Sequence, residues 1–212
     1  MRILAADLAP QQTYRLITGI VVPRPIAWVC SRSPEGVLNL APFSAFTFVS
    51  NKPPMLGINV GRKAGVRKDT GRNIHESGEY VVHIGDQDML DVLHESAVEH
   101  PADVSEVELL GLATTASDLI SVPRLSAPPV AMECRLHQAI AFGATGSEFI
   151  VGEVLAFHIR DGLMRDGKID SKELNPICRL AGPNYATLGQ VISKRPLMQT
   201  EKTVMPGAKD RG

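Results

Sequence analysis

The chain has 212 residues, 44% of them hydrophobic and 21% charged, which suits one globular domain and excludes a disordered chain or a coiled coil. Its formal net charge is -1, so there is no overall basic field for nucleic acid and any anion site must come from a local cluster. No stretch approaches the roughly 18 to 20 apolar residues of a membrane-spanning helix, and the start, Met1 to Asp7, is too short an apolar run for a signal peptide. Three widely spaced cysteines, Cys30, Cys134 and Cys178, make a poor disulfide framework and read as reduced thiols, so the expected address is the cytoplasm.

Residues 10–20 predict a short helix with Tyr14, Leu16, Ile17 and Ile20 as its apolar positions, ended by Pro23 and Pro25. Ile26 to Cys30 predicts a strand and Ser33-Pro34-Glu35-Gly36 a tight turn. Val37 to Phe48 predicts one strand bent at Pro42, which has to lie at an edge or a bulge because proline cannot donate to a ladder. Met55 to Val60 is a third strand, residues 66–77 a helix ending at Gly78, and Glu79 to Ile84 a strand. Asp86 is a candidate N-cap for a helix carrying Met89, Leu90, Val92 and Leu93. Residues 97–128 show no clear period. Val130, Met132, Cys134 and Leu136 alternate with Ala131, Glu133, Arg135 and His137, predicting a strand with one face in the core and one in water or at an interface. Gly143 to Gly146 turns into a central strand, Phe149 to Ile159, before a turn at Asp161-Gly162. The domain is expected to span 1–195, with 196–212 a flexible tail. About seven strands joined mostly by short turns predict a mainly β fold, a largely antiparallel barrel with flanking helices, rather than a doubly wound sheet.

Several chemistries are excluded. No two of the 18 glycines lie two apart, so the Gly-x-Gly-x-x-Gly dinucleotide fingerprint cannot occur. Gly162 to Lys168 matches most of a phosphate loop, but Ile169 stands where a Ser or Thr must hold magnesium. His94 and His100 lie six apart and do not share a helix face as a zinc protease requires. Gly-x-Ser-x-Gly is missing. No metal site and no catalytic side chain is nominated.

Three segments carry positive signals. Gly61 to Asn73 holds Arg62, Lys63, Arg67, Lys68 and Arg72 against one acid, Asp69, with Thr70 beside it. It follows a strand and opens a predicted helix, the setting of an anion site, although a solvated basic loop has the same composition. Asn39 to Ser50 is an apolar strand with spaced hydroxyls and amides that would suit a flat heteroaromatic ring, or serve only as a core strand. Arg179 to Tyr185 is an ordinary loop or an arm closing a site.

In order, Arg24-Pro25-Ile26-Ala27-Trp28-Val29, Asn39-Leu40-Ala41-Pro42-Phe43-Ser44, Pro53-Pro54, Lys68-Asp69-Thr70 with Asn73-Ile74, Gly152-Glu153-Val154 and Arg179-Leu180 with Tyr185 resemble the flavin reductase-like family of FMN-binding split barrels. The resemblance covers roughly residues 10–195. It implies a homodimeric split β-barrel that binds FMN near the dimer interface and reduces flavin with NADH or NADPH, often for a partner monooxygenase or another electron acceptor. Carried over to this chain, Asn39, Ala41, Pro42, Ser44, Phe46 and Thr47 would lie along the ring. Arg62, Lys63, Lys68 and Thr70 would hold the phosphate, Asp69 would position the lysine or the helix start, and Arg179 and Tyr185 would close the site. Cys178 and Ala181 depart from the larger residue and glycine common in the family's closing loop. Flavin-borne hydride transfer needs no acid–base dyad or metal, which agrees with the motifs that are missing. Two alternatives stay open: an FMN-binding electron-transfer protein that does not itself oxidise NAD(P)H, and a split-barrel binder of another phosphorylated ligand such as pyridoxal phosphate.

Overall fold

A computed structural model describes residues 1–195; the tail expected at 196–212 lies outside them. Helix α1 spans Pro10–Ile20, with proline at its first position, where no amide proton is needed. Four strands follow: β1 (Ala27–Arg32), β2 (Leu38–Phe43), β3 (Phe46–Asn51) and β4 (Pro54–Val60). Helix α2 (Asp69–Ser77) ends on Gly78, whose φ of 70° is the left-handed cap that glycine adopts without strain. Strand β5 (Glu79–Ile84), helices α3 (Leu90–Glu95) and α4 (Glu106–Leu109), and the long strands β6 (Val130–Phe142) and β7 (Ser147–Ile159) complete the frame.

All strand pairings in the main sheet are antiparallel, in the order β2-β1-β5-β6-β7-β4-β3. The two edge strands, β2 and β3, are consecutive in the chain, and β2 also approaches β4. The sheet therefore curls into an incompletely closed barrel, with Pro42 on an edge strand as its missing donor demands.

Alternation along the strands feeds two cores. One face of β1 sends Ala27 and Val29 into the barrel, against Ile58, Tyr80, Val82, Met132, Cys134 and Ile150. The other face sends Trp28 and Cys30 outward, joined by Ile26 just before the strand, against Leu93, Val107, Ile120, Val122 and Leu125. Two glycines admit large rings inside this framework. A Cβ on Gly57 would lie 2.1 Å from the Phe149 ring, and one on Gly152 would lie 2.1 Å from the Tyr80 hydroxyl.

The structure corrects four expectations. The stretch Val37 to Phe48 is two strands rather than one, because the chain leaves β2 at Ser44 and crosses to the far edge of the sheet. The helix expected from residue 66 begins at Asp69, since Arg62–Lys63 and Val66–Arg67 pair as a small hairpin across Ala64 and Gly65, both at positive φ. Asp86 precedes the helical turns but makes no capping bond; its carboxylate accepts from Arg160 at 3.2 Å. The polar face of β6 is not in water at its start: Ala131 and Glu133 are buried beneath the segment that showed no period. Glu133 accepts the backbone amides of Asp118 and Leu119, both at 2.7 Å, and faces His158 Nε2 at 2.6 Å. Burial alone would raise the Glu133 pKa, but those three partners outweigh it and hold the carboxyl below its usual range.

Candidate functional site

A cavity of about 770 Å³ opens where the barrel edge meets α1 and α2. That volume lies within the range of sites that take cofactor-sized ligands. One wall is β2: Asn39, Ala41, Pro42 and Phe43, with Ser44 just beyond. The edge position of β2 matters, because the cavity side of this strand is not covered by another strand.

A second wall is basic. The 62–67 hairpin presents Lys63, and Lys68 stands at the N-cap of α2, with no side chain capping the helix start. First-turn amides of a helix lack intrahelical acceptors, and the helix dipole adds positive potential there. Asp69 and Thr70 line the same wall. Thr70 is buried, and its hydroxyl accepts from Asn39 Nδ2 at 2.8 Å, which leaves its own proton to donate into the cavity. This donor set fits a phosphate group.

The third wall comes from residues 96–100, after α3, and from Glu106 of α4. Glu99 bridges the two lysines, at 3.0 Å from Lys68 Nζ and in direct contact with Lys63 Nζ. These lysines hold the Glu99 carboxyl below its usual pKa. Glu106 accepts the Leu40 amide at 3.0 Å, and burial pushes its pKa up. The last wall brings Tyr14 and Thr18 of α1 together with Arg24, Arg179, Leu180 and Gly182.

Nine of the residues nominated from the sequence meet at this cavity: Asn39, Ala41, Pro42, Ser44, Lys63, Lys68, Asp69, Thr70 and Arg179. Four are placed elsewhere. Phe46 and Thr47 are carried off by β3; Phe46 packs on the barrel core, and the Thr47 hydroxyl donates to the Phe48 carbonyl at 3.2 Å. Arg62 turns its guanidinium to Glu148 (3.3 Å) and to the Gly146 and Gly65 carbonyls (2.8 and 3.1 Å). Glu148 also takes Arg67, at 2.9 Å, and Arg67 above all holds the Glu148 pKa down at about 2. Tyr185 stands behind Arg179, with the guanidinium 4.5 Å above its ring centroid and its hydroxyl bonded to both Arg179 Nη1 and His94 Nδ1.

Sequence reasoning did not nominate Arg24, Glu99, Glu106 or Tyr14. Arg24 belonged to the ordered motif set and could have been found there. Glu99 and Glu106 lie in the stretch without a period, and no local pattern marks them. The near-phosphate-loop at Gly162–Lys168 folds as a small hairpin, Met164–Arg165 against Lys168–Ile169, and does not line the cavity.

Comparison with known proteins agrees with this fold. Residues 19–171 match the flavin reductase like domain. The fold superposes on nitrilotriacetate monooxygenase component B from Bacillus cereus with a TM-score of 0.89 and 41% identity, covering 92% of this chain and 98% of that one. It superposes on the 2-nitrobenzoate 2-nitroreductase NbaA of Pseudomonas fluorescens with a TM-score of 0.85 and 33% identity, covering 95% and 100%. A Shewanella frigidimarina structure with a split barrel domain shares the fold at a TM-score of 0.80 and 19% identity, covering 93% and 100%. An open seven-stranded barrel of this kind, matched over most of its length, makes the chain a member of the flavin reductase-like domain family with the split-barrel fold.

Proposed function

We propose that the protein is an FMN-binding oxidoreductase that takes hydride from NADH or NADPH and passes electrons to a partner monooxygenase or another acceptor. The observation that carries this is the meeting, in one cavity, of an uncapped helix start and two lysines with an uncovered strand wall. Bound FMN supplies the redox chemistry. The chain's residues bind and orient. Lys63, Lys68 and the first amides of α2 hold the phosphate, with Thr70 donating from beneath. Asn39 fixes Thr70, and Ala41, Pro42 and Phe43 give the ring an apolar surface that excludes water from one side. No side chain has to serve as a base in such a mechanism. The two solved structures at 41% and 33% identity, a monooxygenase component and a nitroreductase, support an oxidoreductase role. The free thiols of Cys30, Cys134 and Cys178 agree with work in the reducing cytoplasm.

The test is the visible spectrum of the purified protein with FMN, followed anaerobically by NADH or NADPH. Flavin bands that bleach support the reductase. Bands that persist with both nucleotides favour an electron carrier, and failure to take up FMN refutes the proposal. Lys68→Ala should weaken FMN binding about tenfold or more, as loss of one charge-assisted contact does. Unchanged affinity in a fluorescence titration would remove Lys68 from the site.

A further inference from the structure

Most cations around this cavity already have an internal carboxylate. Lys63 and Lys68 share Glu99, Arg72 pairs with Asp69 at 2.7 Å, and Arg67 pairs with Glu148. Arg24 and Arg179 differ: among the described residues neither meets a carboxylate. Both line the cavity, on the side formed with α1.

They are also direct partners across a short antiparallel ladder, Arg24 opposite Arg179. Directly paired residues project on the same face, and like charges in that position repel. Arg24 is largely committed. It donates to the Thr18 and Val21 carbonyls at 2.7 and 2.6 Å, capping the end of α1, and to Ser44 and the Leu180 carbonyl. Arg179 is held but not spent. Its Nε and Nη2 donate to the Gly182 carbonyl at 3.1 and 2.7 Å, and Nη1 donates to the Tyr185 hydroxyl. A guanidinium has five N–H groups, so two of Arg179's keep no partner among the described residues. Stacking on Tyr185 fixes the plane of the fork.

We infer that Arg179, supported by the charge of Arg24, recognises an anionic group on the second ligand of this cavity rather than the flavin phosphate. The ligand is the hydride donor or the final acceptor, and the group is a pyrophosphate or a carboxylate, either of which matches the fork. The inference rests on the flavin reading of the cavity. It moves Arg179 from the cofactor to the molecule that exchanges electrons with it, and it makes Tyr185 a positioning residue.

The experiment is calorimetric titration of the FMN-loaded protein with two unreactive probes, inorganic pyrophosphate and benzoate. Wild type should bind at least one of them. Pyrophosphate alone points to the nucleotide donor, benzoate alone to a carboxylated acceptor. Arg179→Gln should weaken that binding about tenfold or more, Arg179→Lys less, and Tyr185→Phe a few-fold, since the ring stays but the hydroxyl bond is lost. FMN affinity, followed by absorbance, should stay within about twofold of wild type in all three. Circular dichroism checks that the variants are folded. Failure of both probes to bind wild type overturns the inference, as does an Arg179→Gln that binds them as wild type does. Parallel loss of probe and FMN places Arg179 on the flavin and overturns it too. If wild type takes up no FMN, the proposed function fails, and the same titrations on flavin-free protein still decide this point. Sensitivity to Arg179→Gln but not to Lys68→Ala then supports an anion site at Arg179, and the reverse overturns it.

Discussion

At the scale of single residues, the cavity balances its own charges before any ligand arrives. Glu99 sits between Lys63 and Lys68 and takes the place an incoming phosphate would need. A phosphate ligand therefore competes with a tethered carboxylate, which weakens affinity without altering the donor set. Glu99→Gln should tighten FMN binding several-fold while leaving riboflavin, which lacks the phosphate, unaffected. Parallel titrations of the two flavins check this, and equal gains for both would show that Glu99 acts on something other than the phosphate. Deeper in the barrel, the Tyr80 hydroxyl is buried without a hydrogen-bond partner among the described residues, directly over Gly152. An unsatisfied buried hydroxyl costs stability, so Tyr80→Phe should leave the fold unchanged or raise its stability by about 1 kcal/mol. A urea midpoint that falls clearly instead would show that the hydroxyl has a partner in solution.

At the scale of elements, His83 ties three pieces of chain together. Its Nε2 accepts the Leu125 amide at 2.9 Å, so the proton is on Nδ1, which donates to the Trp28 carbonyl at 3.0 Å. Strands β1 and β5 and the Arg124–Leu125 ladder thus depend on a neutral imidazole. Burial pushes the His83 pKa down from 6.5 to about 4. Between these values the unfolded chain binds the proton and the folded chain does not, so stability falls as pH drops through this window. The loss should reach about 3 kcal/mol by pH 4. Denaturant unfolding at pH 7, 5.5 and 4.5 measures it, and ring nitrogen shifts should show His83 neutral until pH falls below about 5. A ring that titrates near 6.5 in the folded protein would refute this account. Glu148, held down at about 2 chiefly by Arg67, adds its own loss only below about pH 4.5, so the two effects separate.

The same elements show what could be read from the sequence. Short apolar runs bounded by turn chemistry marked β1 and β5, and alternation with a glycine turn marked the β6–β7 hairpin, because local pattern and final burial agree there. The break at Ser44 was not legible. Val37 to Phe48 is apolar on both sides of Ser44, and only tertiary closure of the barrel sends its second half to the opposite edge. Phe46 and Thr47 left the site for that reason. Arg62 left it because Glu148, distant in sequence, competes for its guanidinium. Glu99 and Glu106 were hidden for a related cause: Glu99 lies in irregular chain and Glu106 opens the one-turn helix α4, in a region packed on the second core that no short window reveals.

At the scale of the whole molecule, the surface carries an apolar region that the described residues leave uncovered. No residue of α1 is buried, although the helix carries a full apolar set; Tyr14 is 68% and Ile20 75% exposed. Val21 and Val22, which follow the helix directly, are exposed as well. Large apolar side chains grouped in this way mark an interaction surface. A second copy of the chain is the proposed occupant, in line with the homodimer that the sequence resemblance implies. Since Tyr14 and Thr18 of α1 also line the cavity, association there would stiffen one wall of the site. Sedimentation should then give twice the 22.9 kDa chain mass. The double variant Ile17→Asp with Ile20→Asp should sediment as a monomer, keep its far-ultraviolet spectrum and bind FMN more weakly, because α1 is secured mainly by the Arg24 guanidinium at its C-terminal end. A wild type that runs as a monomer at micromolar concentration would remove the dimer. A monomeric variant with unchanged FMN affinity would separate association from the site, leaving α1 as a docking face alone.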